Sequence, residues 1–446
     1  MNTWDYAKRN GNGTDFSKVF IFSWQDLKRS TTKGFWMLGR RLMVRIHLGI
    51  YILQRIYNLT DREAEYGVRD NAAYQLFCGL AAVFRWHVPD HTKIQSFRSR
   101  LSPETHRQLA NLIASHAVEL GFADPRHVDL DSTTQEANIA YPADAGIMSK
   151  LCSLGKKVVD FLGNKIKGIL PKNLDVDMTA IRKAARAYFF LSKRACMEKR
   201  RELFKALHIL VKRQMRPVIS VLSSLSKSQL KQLPWNIRRA AEQLRYDGWR
   251  YLLDVGHFVR KHTIKAGKIL SLHAKQVTCI SKGKPGKERE FGRIFQLGRI
   301  AGNFMFVLES TSLRMEDKHS VLPMMAEHGR VFTGRGIVSV ATDKGYWSVQ
   351  NAKAVGKGGI KEDGLQRPSN TKRMPSRLPA DRERELRDRR AGIEPLIGHV
   401  KHGGQLGKSR MKSDRATLGA GYGSVFGFNL RQLIRHQGGK MDKKVG

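Results

Sequence analysis

Apolar residues recur with a helical period over most of this chain and switch to strand alternation at only a few places. From about Met37 the pattern is helical. Leu48, Ile52 and Ile56 fall at i, i+4 and i+8, and Thr60-Asp-Arg-Glu63 has the form of a capping box opening a helix that runs to Asp70 and Asn71. A further helix is predicted from Ala72 to Leu80. Val88-Pro-Asp-His-Thr92 reads as a turn and N-cap before a short helix over Lys93 to Leu101. There Ile94, Phe97 and Leu101 brace a face exposing Lys93, Gln95, Arg98 and Arg100, which suits a DNA groove and equally suits the surface of a bundle. Ser102-Pro-Glu-Thr opens another helix, roughly 105–120, closed by Gly121. Residues 1–35 lack a sustained period and read as a loosely organised lead-in.

At His127-Val-Asp-Leu-Asp131-Ser-Thr-Thr the period becomes two, with Val128 and Leu130 on one face and Asp129 and Asp131 on the other. Aspartate runs against strand propensity, so such a position points to function or to a strand end. Asp131 is the better candidate, because Ser-Thr-Thr after it reads as the strand's polar exit. Residues 145–263 return to helix and are heavily basic, with Pro171, Pro217 and Pro234 expected to interrupt and Trp235 and Trp249 expected to anchor the core. The block reads as an insertion, since strand signals resume beyond it. Lys268 to His273 is a predicted strand, 282–288 a turn, and Phe291 to Leu297 with Asn303 to Glu309 complete an antiparallel meander. After a helix near Val321 to His328, an apolar strand from Gly336 ends on Asp343 before a turn, the position at which open α/β sheets place ligands. Residues 354–379, rich in Gly, Lys, Arg and Pro, read as a mobile connection. Val425 to Ile434 should pack back on the core, and the Lys-rich tail after His436 is expected to be disordered.

Composition narrows the partner. Across 446 residues, 80 Lys and Arg stand against 39 Asp and Glu, a net charge of +41. An excess of this size repels itself unless a polyanion neutralises it, and nucleic acid is the usual one. No apolar run approaches the roughly 20 residues of a spanning helix and no signal peptide opens the chain, so a cytoplasmic, nucleoid-associated protein without membrane contact is expected. Cys78, Cys152, Cys196 and Cys279 are far apart, arguing against a disulfide framework or a zinc site and for reduced, mostly buried thiols.

The chemistry gathers at Arg390-Ala-Gly-Ile-Glu-Pro-Leu-Ile-Gly-His-Val-Lys401. At helical spacing Arg390, Glu394 and Lys401 share a face, opposite Ile393, Leu396, Ile397 and Val400. Gly392 and Pro395 imply a helix start or kink here, which would put Arg390 on a preceding helix. Taken with Asp131 and Asp343, Glu394 completes three isolated acids in a basic chain, a set able to hold two divalent metals for in-line displacement at phosphorus. Gly407-Lys408-Ser409 imitates the end of a P-loop, but His402 stands where its first Gly belongs, which excludes ATP binding; His399 and His402 lack a third metal ligand.

Asp131-Ser-Thr, Asp343-Lys-Gly-Tyr and Arg390-x3-Glu394-x6-Lys401 resemble the DDE motifs of bacterial insertion-sequence transposases of the insertion sequence five-like group. Asn58-Leu-Thr-Asp-Arg-Glu, Cys279-Ile-Ser-Lys-Gly-Lys, Glu290-Phe-Gly and Gly427-Phe-Asn-Leu-Arg are similar to the same group, so the likeness spans residues 40–435. Its Tyr, three residues before the Arg, is replaced by Arg387. The resemblance implies a mixed α/β fold with a ribonuclease H-like core. An N-terminal helical DNA-binding domain (1–122) would precede the first part of the core (123–144), a basic helical insertion (145–263), the rest of the core (264–436) and a tail (437–446). It implies that Asp131, Asp343 and Glu394 bind Mg²⁺, with Mn²⁺ as a substitute, and that Arg390, Lys401 and Lys344 hold phosphates alongside Lys93, Arg98 and Arg100. The implied reaction is cleavage at the ends of a transposon and transfer of the freed 3′-hydroxyl to target DNA by a homodimer on double-stranded DNA. The alternatives are a Mg²⁺-dependent nuclease without strand transfer and an inactive DNA-binding relic.

Overall fold

The computed structural model describes residues 44–445 except 80–87, 141–142, 166–173, 193–195, 266, 285–286, 310–315 and 369–377. The expected lead-in lies outside the described residues, as do 285–286 of the turn expected at 282–288, whose flanking residues belong to strands. The chain is mixed α/β and divides into two units, Met1–Asn138 with Ile280–Gly446, and Ile139–Cys279.

The first unit opens with helices α1 (Val44–Tyr57), α2 (Asp61–Asp70), α3 (Ala72–Phe77), α4 (His91–Arg100) and α5 (Pro103–Glu119). Their starts follow local chemistry. Thr60 and Glu63 form the reciprocal capping box, Asp90 accepts from the N–H groups of Thr92 and Lys93, and Ser102 caps α5 with Pro103 in its first turn.

The sheet is built around β1 (Asp124–Glu136). On one edge β1 pairs antiparallel with β3 (Lys287–Ala301), setting Asp131 opposite Leu297, and β3 pairs antiparallel with β4 (Phe304–Glu309). On the other edge β1 pairs in parallel with β5 (Ser339–Thr342), which pairs in parallel with β6 (Glu362–Leu365). The path β4-β3-β1-β5-β6 thus has an antiparallel half and a parallel half meeting at β1, with β2 (Thr278–Lys284) beside β3. Helices α12 (Val321–Val331), α13 (Val349–Lys357), α14 (Ala380–Ala391), α15 (Ile393–His402) and α16 (Asp414–Val445) complete the unit, taking α6 to α11 for the second unit. Val128, Leu130, Phe295, Phe306, Val340, Val425 and Phe426 are all buried in one core.

Several expectations need correction. Strand β1 does not exit at Ser-Thr-Thr: Ser132, Thr133 and Thr134 stay in register with Gln296, Phe295 and Ile294, because the antiparallel partner satisfies their backbone. Part of the expected mobile connection is the ordered α13 and β6. Strand β6 reads Glu-Asp-Gly-Leu and carries no apolar alternation, because it is held by backbone pairing to β5. The tail's backbone continues as helix to Val445, with no proline to stop it.

The second unit is helical: α6 (Asp144–Lys165), α7 (Met178–Phe189), α8 (Met197–Ser224), α9 (Lys227–Gln232), α10 (Trp235–Gln243) and α11 (Trp249–Lys261), the last two joined by a π turn at Leu244–Gly248. It has its own core, including Leu151, Val211, Met215 and Tyr251. Its start is tied to its end: Asp144 accepts from Tyr251 Oη (3.0 Å) and from Lys268 Nζ (2.6 Å). Residues 139–279 carry 29 Lys and Arg against nine Asp and Glu, about half the net charge of the chain. Pro217 lies inside the continuous helix α8, whereas Pro234 does mark a helix start; Pro171 is outside the described residues. Trp249 packs against the core as expected, but Trp235 is 73% exposed under Arg239, because its position at the head of α10 leaves only Ile237, Ala240 and Ala241 facing inward. Lys268 to His273 forms no strand; its apolar residues Ile269 and Leu272, three apart, bury against the helices. Cys78 and Cys152 are buried, with thiols pushed up to about 12 by desolvation, whereas Cys196 and Cys279 are exposed.

Among the described residues β4 pairs only with β3, and its other edge is covered by two buried asparagines. Asn429 on α16 accepts from Met305 N (3.0 Å) and donates to Met305 O (2.7 Å), while Asn111 on α5 accepts from Val307 N (2.9 Å). The side chains stand in for a missing strand and fasten both helices to the sheet. Replacing Asn429 by Ala should therefore cost about 2–4 kcal/mol, since it orphans a buried N–H and C=O together. Urea unfolding of the variant against Leu433→Met, a volume-conserving core control, would measure it.

Candidate active site

Strand β5 accompanies β1 only from His127 to Asp129. At the far end, Glu136 of β1 bridges in parallel to Lys408, through Glu136 N to Gly407 O (3.0 Å) and Ser409 N to Glu136 O (2.8 Å). Between these two points the edge of β1 has no strand partner among the described residues, and a crevice opens beside Asp131. Such a gap at the carboxyl end of a parallel strand is where open α/β sheets carry ligands.

Three elements deliver the predicted acids there. Asp131 comes from β1. Asp343 directly follows β5 and is fixed by accepting from Gly345 N (2.9 Å). Glu394 is in the first turn of α15, which follows α14 after a break at Gly392; Arg390 therefore sits on the preceding helix. The Arg390 guanidinium joins them, donating to Asp131 Oδ2 at 2.7 Å and Glu394 Oε1 at 2.8 Å, with Asp343 Oδ2 at 3.7 Å. Its side chain is 14% exposed, that of Asp131 13%, and that of Glu394 63%, so the site grades from buried to open.

Burial raises the Asp131 carboxyl to about 6; Arg390 opposes the shift, and the neighbouring Asp343 and Glu394 charges add to it. Asp343 is raised as well, first by burial and then by Asp317 and Glu394. Asp317, on a turn before α12, is a nearby acid that sequence reasoning missed. It accepts from Gln296 Nε2 (3.1 Å), and Gln296 accepts from the buried Tyr346 hydroxyl (2.7 Å). Nothing in Glu-Asp-Lys-His distinguishes it from an ordinary charged loop.

Asp129, on the same strand face as Asp131, has a different task. It is 3% exposed and binds Arg299 Nε (2.8 Å), Arg299 Nη2 (2.6 Å) and Arg389 Nε (2.8 Å). Arg389 also donates to Ser339 Oγ at 2.6 Å. The cluster fastens the end of α14, and with it Arg390 and Glu394, against β1 and β5.

The remaining predicted site residues divide. Lys344 is exposed beside Asp343, whereas Lys401 lines a cavity with Thr134, Glu136 and Lys408 that includes none of the three acids. Lys93 is exposed on α4 and Arg100 half-buried, but Arg98 is turned inward onto Asp61 Oδ2 (2.9 Å), because the buried Ile94 and Phe97 draw that side of α4 onto α2.

Oxygen-only donors converging on a positive centre suit a hard divalent cation, and the Arg390 guanidinium is the positive group that the three carboxylates share. As they stand, no three Asp, Glu, His or Cys side chains among the described residues are gathered closely enough to hold an ion. Among the same residues no helix is long and apolar enough to cross a membrane.

Residues 21–100, which include α1 to α4, match the family model described as the transposase domain DUF772. The chain is also similar to the uncharacterized protein ORF8 in the nfe locus of Rhizobium meliloti, 28% identical over 110 residues, which are 24% of this chain and 53% of that protein. The chain spans about half the length of that curated relative. No solved structure matches it. The likeness to a transposase domain thus covers the N-terminal helices, and the relative adds no activity of its own.

The two aspartates of β1 should respond oppositely to neutralisation. Asp129→Asn strips two half-buried arginines of their buried counter-charge and should cost about 2–4 kcal/mol at pH 7. Asp131, with its carboxyl near 6 against ~3.9 unfolded, binds its proton more tightly when folded, so its contribution to stability falls as pH rises from about 4 to 6 and is level above. Relative to Asp131→Asn, the native chain should lose about 2–3 kcal/mol across that window, read from urea midpoints of both proteins at pH 4.5 and 7.

Proposed function

We propose that this chain is a DNA transposase of the DDE type, cutting at transposon ends and joining the freed 3′-hydroxyl to target DNA. The observation that carries the reading is the convergence of Asp131, Asp343 and Glu394, from three separate elements, on one cationic centre in an open crevice. The sheet order, three antiparallel strands followed by two parallel ones with acids on the central strand and the next, supports a ribonuclease H-like core. The transposase-domain likeness of residues 21–100 and the net charge of +41 support DNA as the substrate.

In this reading Asp131, Asp343 and Glu394 would hold Mg²⁺, or Mn²⁺ in its place, in exchange for the Arg390 guanidinium. Bound there, the ions supply activation of the attacking oxygen and stabilisation of the leaving one. Asp131, ionised above about pH 6, would share the ions with Asp343 and Glu394, and Arg390, freed of these carboxylates, would offer its fork of donors to a phosphate. Lys344 and Lys401 flank the acids and attract the backbone on either side. The Asp129 cluster keeps α14 and α15 in place while this exchange occurs. Two ends of an element must be held together, so the working form is a homodimer on double-stranded DNA, lodged at the nucleoid.

The test is cleavage and joining of a labelled duplex carrying the sequences that flank the gene, with Mg²⁺ or with chelator. The native chain should cut and join, and Asp131→Asn, Asp343→Asn and Glu394→Gln should each lose roughly 100-fold or more while still binding DNA. Cutting without joining would move the assignment to a nuclease on the same fold. Equal activity in all four proteins would remove the three acids from the chemistry, and none in any would leave a DNA-binding relic.

A further inference from the structure

The loop after α15 holds the one motif that the acid site leaves unused, Gly403-Gly404-Gln-Leu-Gly-Lys408-Ser-Arg410. It is fastened along its length. Gln405 N donates to Ser424 Oγ (2.7 Å), Gln135 Nε2 to Gln405 O (2.9 Å), Arg410 N to Gln405 Oε1 (3.0 Å) and Asn138 Nδ2 to Arg410 O (3.2 Å). Leu406 and Ser409 are fully buried. The two glycines let the loop lie against α16: a Cβ on Gly403 would come within 2.4 Å of the Arg431 guanidinium, and one on Gly404 within 2.4 Å of Ser424 Oγ. The loop's backbone thus has one position.

From this rigid support Lys408 and Arg410 project into a cavity of about 670 Å³, which Thr134 of β1 and Lys401 of α15 also line. Both side chains are exposed, and neither has an ion-pair partner among the described residues. The cavity's two carboxylates, Glu136 and Glu290, and Lys401 are already engaged in interactions of their own. Arg410 also senses the Glu63 carboxylate across the surface, but that group is taken by the Thr60 N–H at 2.7 Å. A built cavity presenting two uncompensated cations takes an anion. Lys401, which shares this cavity, stands seven residues from Glu394 on one stripe of α15, ~10 Å along the helix axis.

We propose that Lys408 and Arg410 form a second phosphate seat, which receives the DNA backbone beside Lys401, near the bond that is cut. The proposal rests on the acid site being the place of cutting. It assigns to the Gly-Lys-Ser stretch a phosphate role without the strand-to-helix geometry of a nucleotide-binding loop.

Binding of a duplex carrying the gene's flanking sequences is measured against salt, without divalent metal, for the full chain. Lys408→Gln with Arg410→Gln should lower the slope of log K against log salt by about 1.8, two phosphate contacts at ~0.9 each. Lys412→Gln, on the same segment but outside the cavity lining, should leave the slope nearly unchanged. Equal slope changes per charge in the two proteins would overturn the seat, because they would show only bulk charge. Duplexes with single methylphosphonates then locate it: neutralising one or two phosphates near the cut should weaken the native chain several-fold and the double variant not at all. Sensitivity retained by the double variant would also overturn it. Because these readouts need no cleavage, a failed acid-site assignment appears as loss of the distance to the cut, with the slope change intact. Unchanged thermal melting of the double variant shows that the loop still folds.

Discussion

The structure depends on how three carboxylates and their neighbours are kept close together without repelling one another apart. Buried or half-buried acids repel across a medium that screens poorly, and each costs desolvation on its own account. The solution is two arginines in succession at the end of α14. Arg389 reaches down to the fully buried Asp129, sharing it with Arg299 of β3, and Arg390 reaches out to Asp131, Glu394 and Asp343. One arginine ties the helix to the sheet, and the next balances the acids of the crevice. The first interaction is closed and structural. The second is open on the Glu394 side and so can be exchanged.

Much of this was legible. The capping box at Thr60, the N-caps at Asp90 and Ser102, the apolar strand before Asp343 and the break at Gly392 are local signals, and local signals survive folding because neighbouring residues generate them. What was not legible depends on partners remote in sequence. Asp129 and Asp131 lie two residues apart on one strand face, and it is Arg299 and Arg389, remote in sequence, that give Asp129 its separate task. Strand β6 has no pattern of its own because its place is set by pairing to β5. Conversely Lys268 to His273 is a short apolar stretch that forms no strand, because Ile269 and Leu272 bury against helices and a run this short does not tell the two apart. Trp235 shows the limit of reading size as burial, since a large ring at a helix start is left outside when the inward face is supplied by Ile237, Ala240 and Ala241. Asp317 reaches the candidate site through Gln296, a contact that no spacing announces.

The tie between Asp144 and the Tyr251 and Lys268 side chains bears on the order of folding. Strand β1 leaves the growing chain first, yet its antiparallel partner β3 follows only after the 141 residues of the helical unit. Left as a flexible loop, that stretch would make the pairing of β1 with β3 an encounter between distant ends, slow and entropically costly. Helices assembling among themselves need only nearer contacts and can form while the rest of the chain is still being made. Once they have closed and Asp144 has drawn the unit's start to its finish, the long connection becomes a short one. A helical unit closed on itself at Asp144 thus shortens the connection that the pairing of β1 with β3 has to bridge.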